Sequence, residues 1–72
     1  MKAGMLAERA RIETEARKLG WSGEYGGWRS IERALLGQGR FTQVPYVFAN
    51  LWTRSELDRV CREARLRRKQ RV

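Results

Sequence analysis

The sequence predicts a mainly α-helical domain of three or four helices packed around an aromatic core. Apolar residues recur at helical spacing in the first, middle and last parts of the 72-residue chain. Glycine-rich stretches separate these segments, and all seven aromatic residues fall between Trp21 and Trp52. Large rings can compensate for a small domain, since each buries roughly 150–250 Å². We therefore predict a compact helical domain over residues 1–64 and a basic extension of the last helix over residues 65–72.

The first helix is predicted from about Met5 to Leu19. Ile12, Ala16 and Leu19 lie on one helical face, and Met5 extends that face backwards by one heptad. Oppositely charged residues one turn apart cover the other face, which indicates exposure to solvent. Gly20 follows, and we expect it to end the helix in the left-handed conformation.

A second helix is predicted from Trp28 to Leu36, with Trp28, Ile31 and Leu35 on its apolar face. Glycines both precede and follow this segment. Those before it, at positions 23, 26 and 27, match neither the dinucleotide-binding fingerprint nor the P-loop, which favours a tight turn over a phosphate cradle. The Gly37-Gln38-Gly39 sequence is expected to end the helix.

The stretch from Arg40 to Leu51 leaves two alternatives. Residues 40–44 alternate as in a short strand, which would place a strand or hairpin near residues 40–47. Alternatively, Pro45 suits the first turn of a short helix from Pro45 to Leu51. We favour the short helix. A helix-turn-helix motif is disfavoured, because glycines and Pro45 would interrupt the turn and the second helix.

The last helix carries the best local signal in the chain. Thr53-Arg54-Ser55-Glu56 fits a capping box, in which Thr53 and Glu56 satisfy each other's backbone amides. The helix is therefore expected to run from Arg54 to about Lys69. Its predicted buried positions are Leu57, Val60, Cys61 and Ala64.

Positive charge is the strongest functional feature. The formal net charge is +8, from 16 basic and 8 acidic residues, and the last eight residues carry five positive charges and no negative one. This density predicts a polyanionic or acidic partner, because cations near phosphates release condensed counterions. A merely solvated helix face is the alternative interpretation. The candidate binding residues are Arg62, Arg65, Arg67, Arg68, Lys69 and Arg71.

A second candidate site is an aromatic contact patch beside the flexible glycine turn. Aromatic rings next to arginine are typical of protein-binding hot spots and of platforms that stack single-stranded bases. Packing in the core is the alternative for each ring. The residues concerned are Trp21, Tyr25, Trp28 and Arg29.

Catalysis and membrane insertion are not indicated. The chain has no histidine, and its single cysteine, Cys61, lies on a predicted apolar helix face, where it is expected to pack inertly. We therefore predict no enzymatic activity, no metal and no cofactor. Neither a signal core nor a membrane-spanning window is present, so we expect a cytoplasmic protein with no membrane partner.

Two functional hypotheses follow from these features. The first is a small regulatory protein that binds nucleic acid or a nucleoprotein complex stoichiometrically. In its length, arginine content and lack of catalytic residues, the chain also resembles small accessory proteins of phages and other mobile elements. That resemblance implies the second hypothesis, an inhibitor or modulator that binds an acidic surface of a host protein complex such as RNA polymerase or a CRISPR effector. A homodimer is compatible with either.

Overall fold

Four helices make up the computed structural model, which describes residues 2–70, with side chains at residue 4 and residues 6–69. They are α1 (Lys2–Trp21), α2 (Trp28–Gln38), α3 (Val44–Phe48) and α4 (Leu51–Gln70). The predicted helical class is confirmed. The strand alternative near residues 40–47 is wrong: this part of the chain holds no strand and leads into α3, with Pro45 in the first turn.

Helix α1 continues through Gly20 instead of ending there. Gly20 is buried, and a Cβ on it would lie 2.9 Å from Cγ1 of Val60 in α4. Glycine at this position therefore allows two helices to approach closely and does not provide a left-handed stop. The left-handed glycine comes three residues later, at Gly23, whose φ is 77°.

Helices α1 and α4 run in the same direction. Ala16 lines a narrow crevice together with Leu57, and one turn further along α1 Gly20 lies against Val60. Because position numbers rise together along both helices, their carboxyl ends lie at the same end of the molecule. The molecule is elongated. It measures 48 × 22 × 17 Å, and its longest dimension exceeds the roughly 30 Å length of a 20-residue helix such as α1 or α4.

The core is mainly aliphatic, so the predicted aromatic core is wrong. Phe48 is the one fully buried ring among the described residues, whereas Tyr25, Trp28 and Phe41 pack at the edge of the core. The remaining rings, Trp21, Tyr46 and Trp52, are exposed on the surface. The buried residues are Ile12, Ala16, Ile31, Leu35, Val44, Val47, Phe48, Leu57, Val60, Cys61 and Ala64.

The capping box at the start of α4 is also wrong, although the buried face of that helix is as predicted. Helix α4 begins at Leu51, and Asn50 caps it by accepting a hydrogen bond from the Trp52 amide to Oδ1 at 2.8 Å. Thr53 therefore lies inside the helix. The Glu56 carboxylate pairs with Arg59 at 3.0 Å instead of turning back toward the Thr53 amide.

The Glu8 carboxylate links α1 to the residues just before α3 by hydrogen bonds. Oε2 of Glu8 accepts hydrogen bonds from the Thr42 hydroxyl at 2.9 Å, the Thr42 amide at 2.8 Å and the Gln43 amide at 2.7 Å. These bonds, led by that of the Thr42 hydroxyl, hold the pKa of Glu8 below its ordinary value. Sequence spacing could not reveal this contact, because Thr42 and Gln43 lie 34 and 35 positions after Glu8 in the chain.

Glu8→Gln should make stability less dependent on pH. Because the folded-state pKa of Glu8 is lowered, its contribution is present above the ordinary carboxyl pKa and is lost as pH falls through the lowered value. The difference in melting temperature between wild type and variant should be widest at neutral pH and should narrow in acid. Thermal unfolding across that range measures it, and a difference that stays constant with pH would contradict the assignment.

Gly20→Ala should destabilise the protein, although alanine is the better helix former. The added methyl meets Val60, and overpacking of this kind typically costs about 1–3 kcal/mol, against a helix-propensity gain of about 1 kcal/mol. Gly37→Ala is the matched control, since Gly37 lies in α2 with open space around it. Thermal unfolding should show a lower melting temperature for the first variant and an unchanged or higher one for the second. The reverse order would mean that α1 and α4 do not meet at Gly20.

Candidate nucleic-acid interface

From Ala64 onward, helix α4 carries several cations and no acidic residue. All eight acidic residues precede Ala64 in the chain. The cations of these turns are exposed, and they also suit the negative end of the helix dipole. We call the following group the basic end: Trp21, Arg62, Arg65, Arg67, Arg68 and Lys69.

One flank of the basic end is a row of three cations. Arg62, Arg65 and Lys69 follow helical spacing along α4 and line an open groove of about 370 Å³ beside Gly26. None of them takes part in an ion pair within the described part of the chain. Asp58 also reaches this groove, but its Oδ1 accepts a hydrogen bond from the Trp28 amide at 2.9 Å.

The other flank joins α4 to the end of α1. The guanidinium of Arg67 lies over the Trp21 ring, 5.0 Å from its centre, and Arg68 donates a hydrogen bond to the Gly23 carbonyl at 3.2 Å. These side chains border an open groove of about 520 Å³, which Ser22 and Glu24 also line.

The geometry of the second flank depends on the turn after α1. Gly23 adopts a φ of 77°, and a Cβ at this position would collide with the side chain of Arg68. Glycine is therefore favoured by the backbone conformation, and a larger residue would also displace the Arg68 side chain. The predicted tight turn is confirmed. The amide of Trp28 at the start of α2 already binds Asp58, which argues against a phosphate cradle at this position.

The residues of the predicted aromatic contact patch lie in different surroundings. Trp28 packs against the core, with its ring centre 6.3 Å from that of Phe48. The guanidinium groups of Arg54 and Arg29 lie 4.3 Å and 5.5 Å from the centre of the Trp28 ring. Tyr25 packs against the core as well. Of the four residues, Trp21 is the one that belongs to the basic end, through its contact with Arg67. Of the predicted binding residues, Arg71 lies outside the described part of the chain.

A separate apolar surface was missed by the sequence analysis. Leu51 and Trp52 at the start of α4 are 72% and 69% exposed. Trp52 borders a crevice with Glu13, Arg17 and Glu56, where charges of both signs occur. An indication was available in the sequence, since both residues lie outside the apolar stripe of the last helix.

Chemically reactive groups are few in the described structure. Cys61 is buried in the core, as predicted for a packing residue, and burial together with Asp58 raises the pKa of its thiol. No cluster of three or more metal-ligating side chains occurs in the segment 2–70. None of the four helices combines the length and apolarity needed to cross a bilayer.

Comparisons of the chain with protein-family models, curated proteins and solved structures returned no match. Function is therefore inferred from the charge, exposure and shape of the molecular surface.

Proposed function

We propose that this protein is a non-enzymatic regulatory protein that binds nucleic acid, alone or within a nucleoprotein complex, through the basic end. The observation that carries the proposal is the row of unpaired cations at Arg62, Arg65 and Lys69. Arg17 and Arg59 pair with glutamates, whereas Arg11, Arg29, Arg33 and Arg40 form no ion pair in the described structure. The row at the basic end differs from these in that three cations line one groove. The single free thiol of Cys61 is in keeping with a cytoplasmic location.

Contacts between this row and successive phosphates would supply most of the binding energy. Such contacts release counterions and carry little information about base sequence. Arg65 and Lys69 lie one helical turn apart, so they can reach different phosphates of one strand. Binding would regulate by occupancy, because a strand held on the basic end is withheld from other proteins.

The salt dependence of binding tests this proposal. Arg62→Gln/Arg65→Gln lowers the net charge from +8 to +6, and so does the control Arg11→Gln/Arg33→Gln, whose side chains are exposed on α1 and α2. The slope of log K against log salt is negative, and two lost phosphate contacts should make it less steep by about 1.4–1.8 in the first variant. The control should keep the wild-type slope.

Fluorescence anisotropy with a labelled oligonucleotide over a salt series provides these slopes. If both double variants lose affinity equally, the response follows net charge and not the basic end. If the wild type binds no oligonucleotide at low salt, the proposal fails altogether.

The second candidate function is inhibition or modulation of a host protein complex such as RNA polymerase or a CRISPR effector. The observation that favours it is the exposed pair Leu51 and Trp52, which lies at the opposite end of α4 from the basic end. Exposed tryptophan is frequent at binding hot spots. The basic residues would then meet an acidic surface of the partner and steer its approach.

A pull-down from nuclease-treated host lysate separates the two functions. Under the second function, one stoichiometric partner should remain after nuclease treatment and should be lost with Trp52→Ala. Tyr46→Ala is the control, because Tyr46 is an equally exposed aromatic residue on α3. Loss of every partner on nuclease treatment would instead favour direct binding of nucleic acid.

A further inference from the structure

We propose that the basic end binds single-stranded nucleic acid in preference to duplex, with an unpaired base stacked on the pair formed by Trp21 and Arg67. This inference rests on the proposed function and names the form of nucleic acid that the same site takes. Three observations lead to it: the placement of the cations around α4, the exposed Trp21 ring, and the carboxylate of Glu24 in the groove beside that ring.

The cations lie on two sides of α4. A helix turns about 100° per residue, so Arg67, two positions from both Arg65 and Lys69, points to nearly the opposite side. A straight duplex packed against one flank meets mainly the cations of that flank. A flexible single strand can bend over the surface of these turns and contact both.

Trp21 provides an aromatic face, which can stack with a base but adds nothing to the binding of phosphate. Trp21 is the last residue of α1 and remains 43% exposed, although the Arg67 guanidinium of α4 lies over its ring, 5.0 Å from the ring centre. Bases stack on tryptophan rings and on guanidinium planes. An unpaired base can therefore extend this stack, whereas the bases of a duplex are already paired and stacked with one another.

Glu24 favours a base over a phosphate in the groove next to Trp21. Its carboxylate lines that groove and has no hydrogen-bond or ion-pair partner in the described structure. The Glu24 charge offsets part of the positive charge of Arg67 and Arg68 in this groove, and its carboxylate can accept a hydrogen bond from an exocyclic amino group, as carboxylates do with cytosine. The groove volume of about 520 Å³ lies in the range of small-molecule sites.

These features assign different parts of one strand to the two flanks. The backbone would follow Arg62, Arg65 and Lys69, where three cations face the single carboxylate of Asp58. One base would turn toward Trp21 and Arg67. Arg68 is held by the Gly23 carbonyl and would mainly fix the wall of the groove.

The test compares a labelled single strand with the same strand annealed to its complement, at one salt concentration. Wild type should bind the single strand more tightly. Trp21→Ala should weaken single-strand binding roughly 5- to 150-fold, the loss expected for one stacked base, and should leave duplex binding nearly unchanged. Trp21→Phe keeps an aromatic face and should retain most of the affinity, while Trp52→Ala should behave as wild type.

Each remaining outcome decides one of the two proposals. Equal affinity for both forms, or an equal loss with Trp21→Ala on both, would overturn the single-strand inference and leave the proposed function standing. Failure of wild type to bind either form would overturn the proposed function itself. Circular dichroism of Trp21→Ala verifies its helical fold, and the Trp21→Phe arm keeps the inference testable if the alanine variant unfolds.

Discussion

The contact between Gly20 of α1 and Val60 of α4 is the constraint on which the rest of the structure depends. It brings two helices that run in the same direction close together, with space for no added methyl between them. Their carboxyl ends therefore lie side by side. As a result, Trp21 meets Arg67 and the Gly23 carbonyl meets Arg68, although these residues are more than 40 positions apart in the chain.

Placement of the acidic residues explains why the charge is so uneven. Glu8 binds the residues ahead of α3 and Asp58 binds the first amide of α2, so these two carboxylates stabilise the fold. Glu13, Glu56 and Glu63 pair with arginines on their own helices. The last turns of α4 have no acidic residue of their own, and the net positive charge of the molecule is expressed most strongly there.

Local patterns predicted the helices well, whereas contacts across the chain had to come from the structure. The buried face of α4 and the short helix at Pro45 follow from periodicity and proline chemistry. The prediction that Gly20 ends α1 was wrong, because a glycine that ends a helix and a glycine that allows two helices to pack closely cannot be told apart in the sequence. The cations of the basic end were identifiable from charge alone. Only the direction of α4 relative to α1 shows that Trp21 belongs to the basic end and that Trp28 does not.

The central claim is that one end of the molecule, where α1 and α4 finish together, is the surface that contacts nucleic acid. Backbone amide chemical shifts measured by NMR during titration with a short single-stranded oligonucleotide test this most directly. The account predicts that the largest shifts occur at residues 21–26 and 62–69, with little change at residues 6–15 and 44–50. Large shifts centred on Leu51 and Trp52, or changes spread evenly over the exposed arginines, would contradict it.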